Sequence, residues 1–246
     1  LGQGRRMSGG RGTAASGEPG HGAGAHGDSL ISGADDFVGV FGVSRETLGR
    51  LETYAGLLRN WQKTINLVAP RTLDEAWHRH FADSAQLYAL IPASARRLVD
   101  LGSGAGFPGL VLAIMAAGDQ ARTGLRVALV ESDTRKAAFL REVARTLGIA
   151  VDIIPARIES EKIRAMVERI DCVTSRALAP LPRLLELSFP LFDASTTGLF
   201  LKGRDVASEI RESERDWSFA LSLQPSRTDA EARIAVVTDL KIKKGR

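Results

Sequence analysis

The sequence predicts a doubly wound α/β fold, a seven-stranded and mostly parallel sheet entered through an N-terminal helical extension. Three observations predict it. From about residue 95 onward, short β-rich runs alternate with helical stretches of ten or more residues, the pattern of βαβ units. The first of these runs ends in a glycine-rich turn that leads into a helix. Ahead of it, residues 36–94 carry apolar side chains at three- and four-residue steps, the period of helices.

Taken in order, the first 33 residues are dominated by Gly, Ala, Ser, Arg and His, with almost no large apolar side chain before Leu30 and Ile31. Such a stretch cannot bury enough surface to order itself, so residues 1–35 are expected to form a disordered Gly-rich tail. Met7 is a candidate start residue, and His21 and His26 are read as ordinary tail residues rather than metal ligands. From Ser44, the residues Leu48, Leu51, Ala55, Leu58, Trp61 and Ile65 form one apolar helical stripe, which Asn66 and Pro70 end. Thr72 and Glu75 have capping-box spacing, and Trp77, Phe81, Ser84, Tyr88 and Ile91 continue a second helical face as far as Pro92.

Within residues 95–246, strands are expected at Leu98 to Leu101, Val127 to Val130, Val151 to Ile154, Cys172 to Ser175, Leu199 to Leu201, Leu221 to Leu223 and Ile234 to Val237. Helices are expected near Gly109 to Ala117, Arg135 to Leu147, Ser160 to Glu168, Leu181 to Ser188 and Val206 to Glu214. No internal repeat is visible.

Composition bounds the function. Apolar residues make up 44% and charged residues 25% of the 246, with no apolar run near the roughly 18 residues of a membrane span. A soluble, cytoplasmic chain without a secretory signal is expected. The single cysteine, Cys172, excludes an intramolecular disulfide and a multi-cysteine zinc site, and no metal site is expected. Cys172 follows Asp171 rather than proline, which argues against a thiolate nucleophile, and it is read as a small core residue. The net charge is +4; Arg5, Arg6 and Arg11 offset Glu18, Asp28 and Asp35 in the tail, so the surplus sits in the folded part. That permits a polyanionic partner without demanding one.

The strongest local signal is Val99-Asp100-Leu101-Gly102-Ser103-Gly104-Ala105-Gly106-Phe107-Pro108-Gly109. Glycines serve where the backbone takes positive φ and a ligand approaches without a Cβ in the way. The spacing is G-x-G-x-G rather than the longer turn of dinucleotide enzymes, and Asp100 ends the strand before it. This combination favours an adenosine-methionine cofactor over a pyrophosphate. Glu131 ends the next strand, where a carboxylate can accept hydrogen bonds from both ribose hydroxyls. The competing reading of Asp100 and Glu131 is a pair of solvated strand-end carboxylates.

From about Leu51 to Val237 the chain resembles the RsmG (GidB) family of 16S rRNA guanine-N7 methyltransferases. The resemblance rests on an ordered set of motifs: Asn66-Leu67, Arg79-His80-Phe81-Ala82-Asp83-Ser84, the loop Asp100 to Gly109, Ser175-Arg176-Ala177 and Lys202-Gly203. It implies a Rossmann-like class I methyltransferase fold for residues 95–246 and transfer of a methyl group from S-adenosyl-L-methionine to N7 of guanine 527. Cofactor contacts would fall on Gly102, Phe107, Ile158, Glu159 and Arg176, with Glu131 added from the ribose argument. The partner implied is 16S rRNA or the small ribosomal subunit, met by a monomer.

Guanine N7 carries an in-plane lone pair and no proton, so no general base is needed and no catalytic residue is assigned. This agrees with the absence of an Asn-Pro-Pro-Tyr or Asp-Pro-Pro-Tyr sequence after the fourth strand. Arg176 stands at a strand's carboxyl end beside the expected cleft, where it can meet guanine O6, an RNA phosphate, the cofactor's carboxylate, or a structural carboxylate. Arg79 and His80 are candidates for RNA contact or for helix packing, and Lys202 and Arg204 for phosphate. Lys241, Lys243, Lys244 and Arg246 form a basic C-terminus. Two other substrate classes remain open on these residues, a small molecule or a protein methylated by the same fold with the same cofactor. An NAD-dependent dehydrogenase would need the longer glycine turn and a catalytic Tyr-Lys or His pair, and the two tyrosines, Tyr54 and Tyr88, both lie in the helical preface.

Overall fold

The computed structural model describes residue 1, residues 30–165 and residues 169–243. Met7, His21 and His26 in the tail, the last three residues of the helix expected at 160–168, and Lys244 and Arg246 lie outside the described residues.

The sheet is built from β1 (Arg97–Leu101), β2 (Arg126–Val130), β3 (Asp152–Ile154), β4 (Cys172–Arg176), β5 (Thr197–Lys202), β6 (Trp217–Pro225) and β7 (Arg233–Ile242). Their order across the sheet is β3-β2-β1-β4-β5-β7-β6. The first five run parallel, and β7 lies antiparallel between β5 and β6. All seven expected strands are present; the last two are longer than expected because they pair with each other as a hairpin along most of their length. The winding reverses between β1 and β4, and the crevice at the carboxyl ends of those strands is where such sheets bind ligands.

Among the described residues eight α-helices accompany the strands: α1 (Ala34–Phe41), α2 (Arg45–Gln62), α3 (Asp83–Ala85), α4 (Gly109–Ala117), α5 (Thr134–Leu147), α6 (Glu161–Arg164), α7 (Leu181–Ser188) and α8 (Val206–Asp216). Strand side chains alternate between two cores, so Leu98 joins the residues of α2, α4 and α5, whereas Val99 joins those of α6 and α7. The sequence of α4, Gly-Leu-Val-Leu-Ala-Ile-Met-Ala-Ala, is apolar on every side because the helix is covered on every side, by the sheet and by the N-terminal helices. Sequence-level caps set several ends: Ser44 Oγ accepts the Thr47 N–H at 3.1 Å, and Asp133 accepts the N–H groups of Arg135 and Lys136.

Two expectations need correction. The tail was expected to run through residue 35, yet Ile31 is buried, its N–H donates to His78 Nδ1 at 3.2 Å, and α1 begins at Ala34. Phe37 supplies the reason: it is fully buried and packs edge-on against Trp77, 5.5 Å between ring centres. The second helical face does not form one helix. A π-helical turn, Trp77–Ala82, is followed by α3 and a 3-10 turn at Tyr88–Leu90. Thr72 caps nothing; it ends a 3-10 turn and its hydroxyl donates to the Ala69 carbonyl, while the Glu75 carbonyl accepts the N–H groups of His78 and Arg79. The π turn keeps Trp77, His80 and Phe81 buried together, on a spacing that an α-helix would also place on one face.

Candidate active site

The loop between β1 and α4 forms the floor of a cleft of about 570 Å³ at the carboxyl end of the sheet. Gly102 and Gly104 adopt φ of 67° and 57°, so the turn there is left-handed, and a Cβ on Gly104 would meet no protein atom closer than the Gly102 carbonyl at 3.9 Å. Gly109 serves a different need, close approach: a Cβ would lie 2.5 Å from both Asp100 Cβ and Leu129 Cδ2.

Asp100 is neither solvated nor a cleft residue. It is wholly buried, accepts the Thr174 hydroxyl at 2.8 Å and the Gly109 N–H at 3.2 Å, and thereby ties β4 and the start of α4 to β1. Burial pushes its carboxyl up to about 6 against the pull of those donors. Glu131 is also buried but lines the cleft, and its two oxygens accept the N–H groups of Gly104 and Asp133, each at 2.7 Å. Each oxygen keeps a second lone pair for a ligand hydroxyl. The carboxylate thus fixes the glycine loop and faces the space beside it.

All six residues expected at the cofactor, Gly102, Phe107, Glu131, Ile158, Glu159 and Arg176, line this cleft. Glu159 does so from the surface, paired with Arg183 at 2.6 Å. Phe107 is buried at the centre of an aromatic cluster: Tyr54 stacks on one side at 5.4 Å, His80 stacks at 5.1 Å, and the Arg176 guanidinium lies 5.1 Å from the ring centre. Tyr54, whose hydroxyl donates to the Ala105 carbonyl, was not assigned from sequence.

Arg176 is the best-anchored cation of the site. Its Nη1 donates to the Arg79 carbonyl at 2.8 Å and lies 3.4 Å from Asp83 Oδ2, and its Nη2 lies 3.0 Å from His80 Nδ1. Of the alternatives open for Arg176, a structural carboxylate is therefore present, in Asp83, while the side chain still lines the cleft. The next residue, Ala177, has φ of 51°, a left-handed conformation that non-glycine residues rarely take.

A second cleft, of about 340 Å³, opens on the other side of Arg176 and Ala177. Arg79, His80 and Lys202 line it; Arg204 is exposed and lines neither cleft. The structure gives two of these four a different employment from RNA contact. His80 is buried and packed, with Nε2 at 2.8 Å from Thr72 Oγ1. Lys202 is buried too; its ammonium donates to the Ala179 carbonyl at 2.9 Å and pairs with Glu209 at 2.7 Å, and Glu209 also accepts the Leu181 N–H. A lysine held in this way secures the segment between β4 and α7. Arg79 keeps an exposed side chain at the second cleft.

Asp83, Thr228 and Asp229 line the second cleft, and sequence reasoning assigned them no role there. Asp83 was within reach, standing four residues after Arg79 in a quoted motif, where helical spacing puts both on one side. Thr228 and Asp229 carried no signal, because their loop between β6 and β7 meets Asp83 from 145 residues away.

The strand order, the glycine turn after β1 and the buried acid closing β2 define a Rossmann-like methyltransferase fold of class I. The chain belongs to the GidB family, rRNA small subunit methyltransferase G, whose model matches residues 47–233. It is 52% identical over 198 residues to the ribosomal RNA small subunit methyltransferase G of Methylorubrum populi, covering 80% of this chain and 91% of that protein. With the protein of the same name from Parvibaculum lavamentivorans it shares 47% over 214 residues, 87% of this chain and 92% of that one. Among solved structures, the O-methyltransferase of Bacillus cereus in complex with SAH superposes with a TM-score of 0.55 at 14% identity, over 85% of this chain and 98% of that one. A mutant of MtNAS in complex with S-adenosylmethionine gives 0.52 at 15%, over 86% and 87%. These two likenesses concern the fold.

Proposed function

We propose that this protein transfers the methyl group of S-adenosyl-L-methionine to N7 of one guanine of 16S rRNA, guanine 527, acting as a cytoplasmic monomer on the rRNA or the small ribosomal subunit. The observation that carries the reading is the meeting of two clefts at Arg176 and Ala177, in a chain that belongs to the rRNA small subunit methyltransferase G family. No helix among the described residues is long and apolar enough to cross a membrane.

The residues fit the cofactor. The larger cleft lies within the roughly 300–1,000 Å³ of small-molecule sites. Its floor is backbone without side chains at Gly102 and Gly104, and Glu131 offers the lone pairs that two ribose hydroxyls require. Bound there, the cofactor supplies an electrophilic methyl group on a sulfonium sulfur. The protein's task is then positional, because the N7 lone pair attacks without losing a proton. Glu131 and the glycine loop hold the nucleoside, while Arg176 orients whatever anion or carbonyl comes between the clefts. Arg79 at the mouth of the second cleft contacts RNA phosphate.

Incubation with labelled S-adenosylmethionine and small-subunit rRNA, naked or assembled, from a strain lacking this activity tests the reading. Label in a single rRNA position is expected. Absence of label in RNA and subunits, with cofactor affinity intact by calorimetry, refutes it.

A further inference from the structure

The second cleft is lined by both a hydrogen-bond donor, Arg176, and an acceptor, Asp229. At the end shared with the cofactor cleft, Arg176 uses three of its five N–H donors on the Arg79 carbonyl, Asp83 and His80. The other two have no protein acceptor among the described residues. In the loop between β6 and β7, Asp229 Oδ1 accepts the Glu231 N–H at 2.9 Å, and Oδ2 has no protein partner among the described residues. Ala177, Leu201 and Ala232 supply apolar lining.

This loop is held firmly against the Arg176 anchor. The Thr228 hydroxyl donates to Asp83 Oδ1 at 2.8 Å, the same carboxylate that faces Arg176, and the Arg227 N–H donates to Gln86 Oε1 at 2.8 Å. His78 Nδ1 accepts the Ile31 N–H, so its Nε2–H donates to the Thr228 carbonyl, at 2.9 Å. The backbone that carries Asp229 is therefore braced on the same residues that anchor Arg176.

Guanine has the matching pattern. O6, an acceptor, is next to N7, and the donors N1–H and N2–H₂ follow on the adjoining edge. If N7 faces the cofactor cleft, O6 falls toward Arg176, and the two donors point away from it. Adenine presents the reverse, an amino donor beside N7 and an acceptor at N1. On these grounds, and resting on the function proposed above, we infer that the second cleft holds the acceptor base and that Asp229 selects guanine by accepting N1–H and N2–H. Asp229 is thus a specificity residue, and the β6–β7 loop is the base-reading element of the site.

Asp229→Asn is the test, because the amide keeps Oδ1 for the Glu231 N–H and converts the free oxygen into a donor. Full-length wild type and D229N are compared on small-subunit rRNA, or subunits reconstituted from it, carrying guanine or inosine at the target position; inosine lacks the N2 amine. Wild type is expected to lose about tenfold in kcat/KM on inosine, and D229N to lose about 10- to 100-fold on guanine with no further loss on inosine. Cofactor Kd and Tm should match wild type. Guanine turnover by D229N equal to wild type overturns the inference, and so does a D229N enzyme that still prefers guanine over inosine as strongly as wild type. A wild-type enzyme that methylates no RNA at all refutes instead the function on which the inference rests.

Discussion

Nη2 of Arg176 lies 3.0 Å from Nδ1 of His80, and the opposite nitrogen of that ring lies 2.8 Å from the Thr72 hydroxyl. A guanidinium only donates, so Nδ1 accepts and Nε2 carries the proton; the Thr72 hydroxyl passes its own hydrogen to the Ala69 carbonyl. The buried imidazole is held neutral by this chain, and a neutral ring can stack on Phe107 beside a cation without adding a second charge.

A pH dependence follows. Burial first, then the charges of Arg176 and Arg79, lower the His80 pKa from 6.5 to about 3. The unfolded chain therefore binds a proton that the folded chain refuses. The stabilising contribution of the neutral ring is complete above pH 6.5 and is lost as pH falls from there toward about 3. His80→Gln removes this slope. In denaturant titrations, the stability gap between wild type and variant should narrow as pH drops from about 7.5 to about 4.5. A gap that stays constant or widens contradicts the neutral-imidazole account.

Replacing the partner cation separates geometry from fold. Arg176→Ala removes three donated hydrogen bonds, yet Asp83 keeps Thr228 and Gln86 as donors. Stability should fall by about 1–3 kcal/mol, and methyl transfer by more than about a hundredfold. The contrary pattern, a collapsed Tm with normal turnover by the molecules still folded, would make Arg176 structural alone.

In the glycine loop, Gly104→Ala adds a methyl group that meets open space at a residue lining the cleft, with φ of 57° as its backbone cost. The strain is about 1–2 kcal/mol, too little to unfold the protein. Calorimetry should show cofactor affinity reduced at least about tenfold with the fold retained. Unchanged affinity would remove the loop from the cofactor site.

Lysine and arginine at the second cleft should behave differently. Lys202→Met leaves the half-buried Glu209 without its cation and is expected to cost about 2–3 kcal/mol of stability. The salt dependence of RNA affinity should not change. Arg79→Ala should do the opposite, lowering the slope of log K against log salt by about one with little loss of stability. If Lys202→Met alters the slope instead, its ammonium reaches phosphate.

The parts of this molecule that were legible in sequence are those where one local pattern has one structural solution. β1, β2 and β4 are buried on both faces and write themselves as short apolar runs, and a glycine turn before a helix leaves little choice of geometry. Asp100 and Glu131 show the limit: both are acids at strand ends, but one faces the helix start and the other the cleft, which only the packing of Gly109 against Asp100 decides. Lys202 looked like a phosphate contact because its partner, Glu209, comes from a helix whose approach to β5 has no local signature. The burial of Ile31 was hidden by the glycine-rich composition before it, and the π turn at Trp77–Ala82 by a spacing that also suits an α-helix. Asp229 depends on a loop docking across the whole chain.

The most direct test of the account is the chemical identity of the product. Small subunits methylated by the purified protein, digested to nucleosides and examined by mass spectrometry against standards, should contain one new modified nucleoside, 7-methylguanosine. A methyl group on N1 or N2 of guanine, on a pyrimidine carbon, or on a ribosomal protein would contradict an enzyme that relies on positioning an unprotonated lone pair.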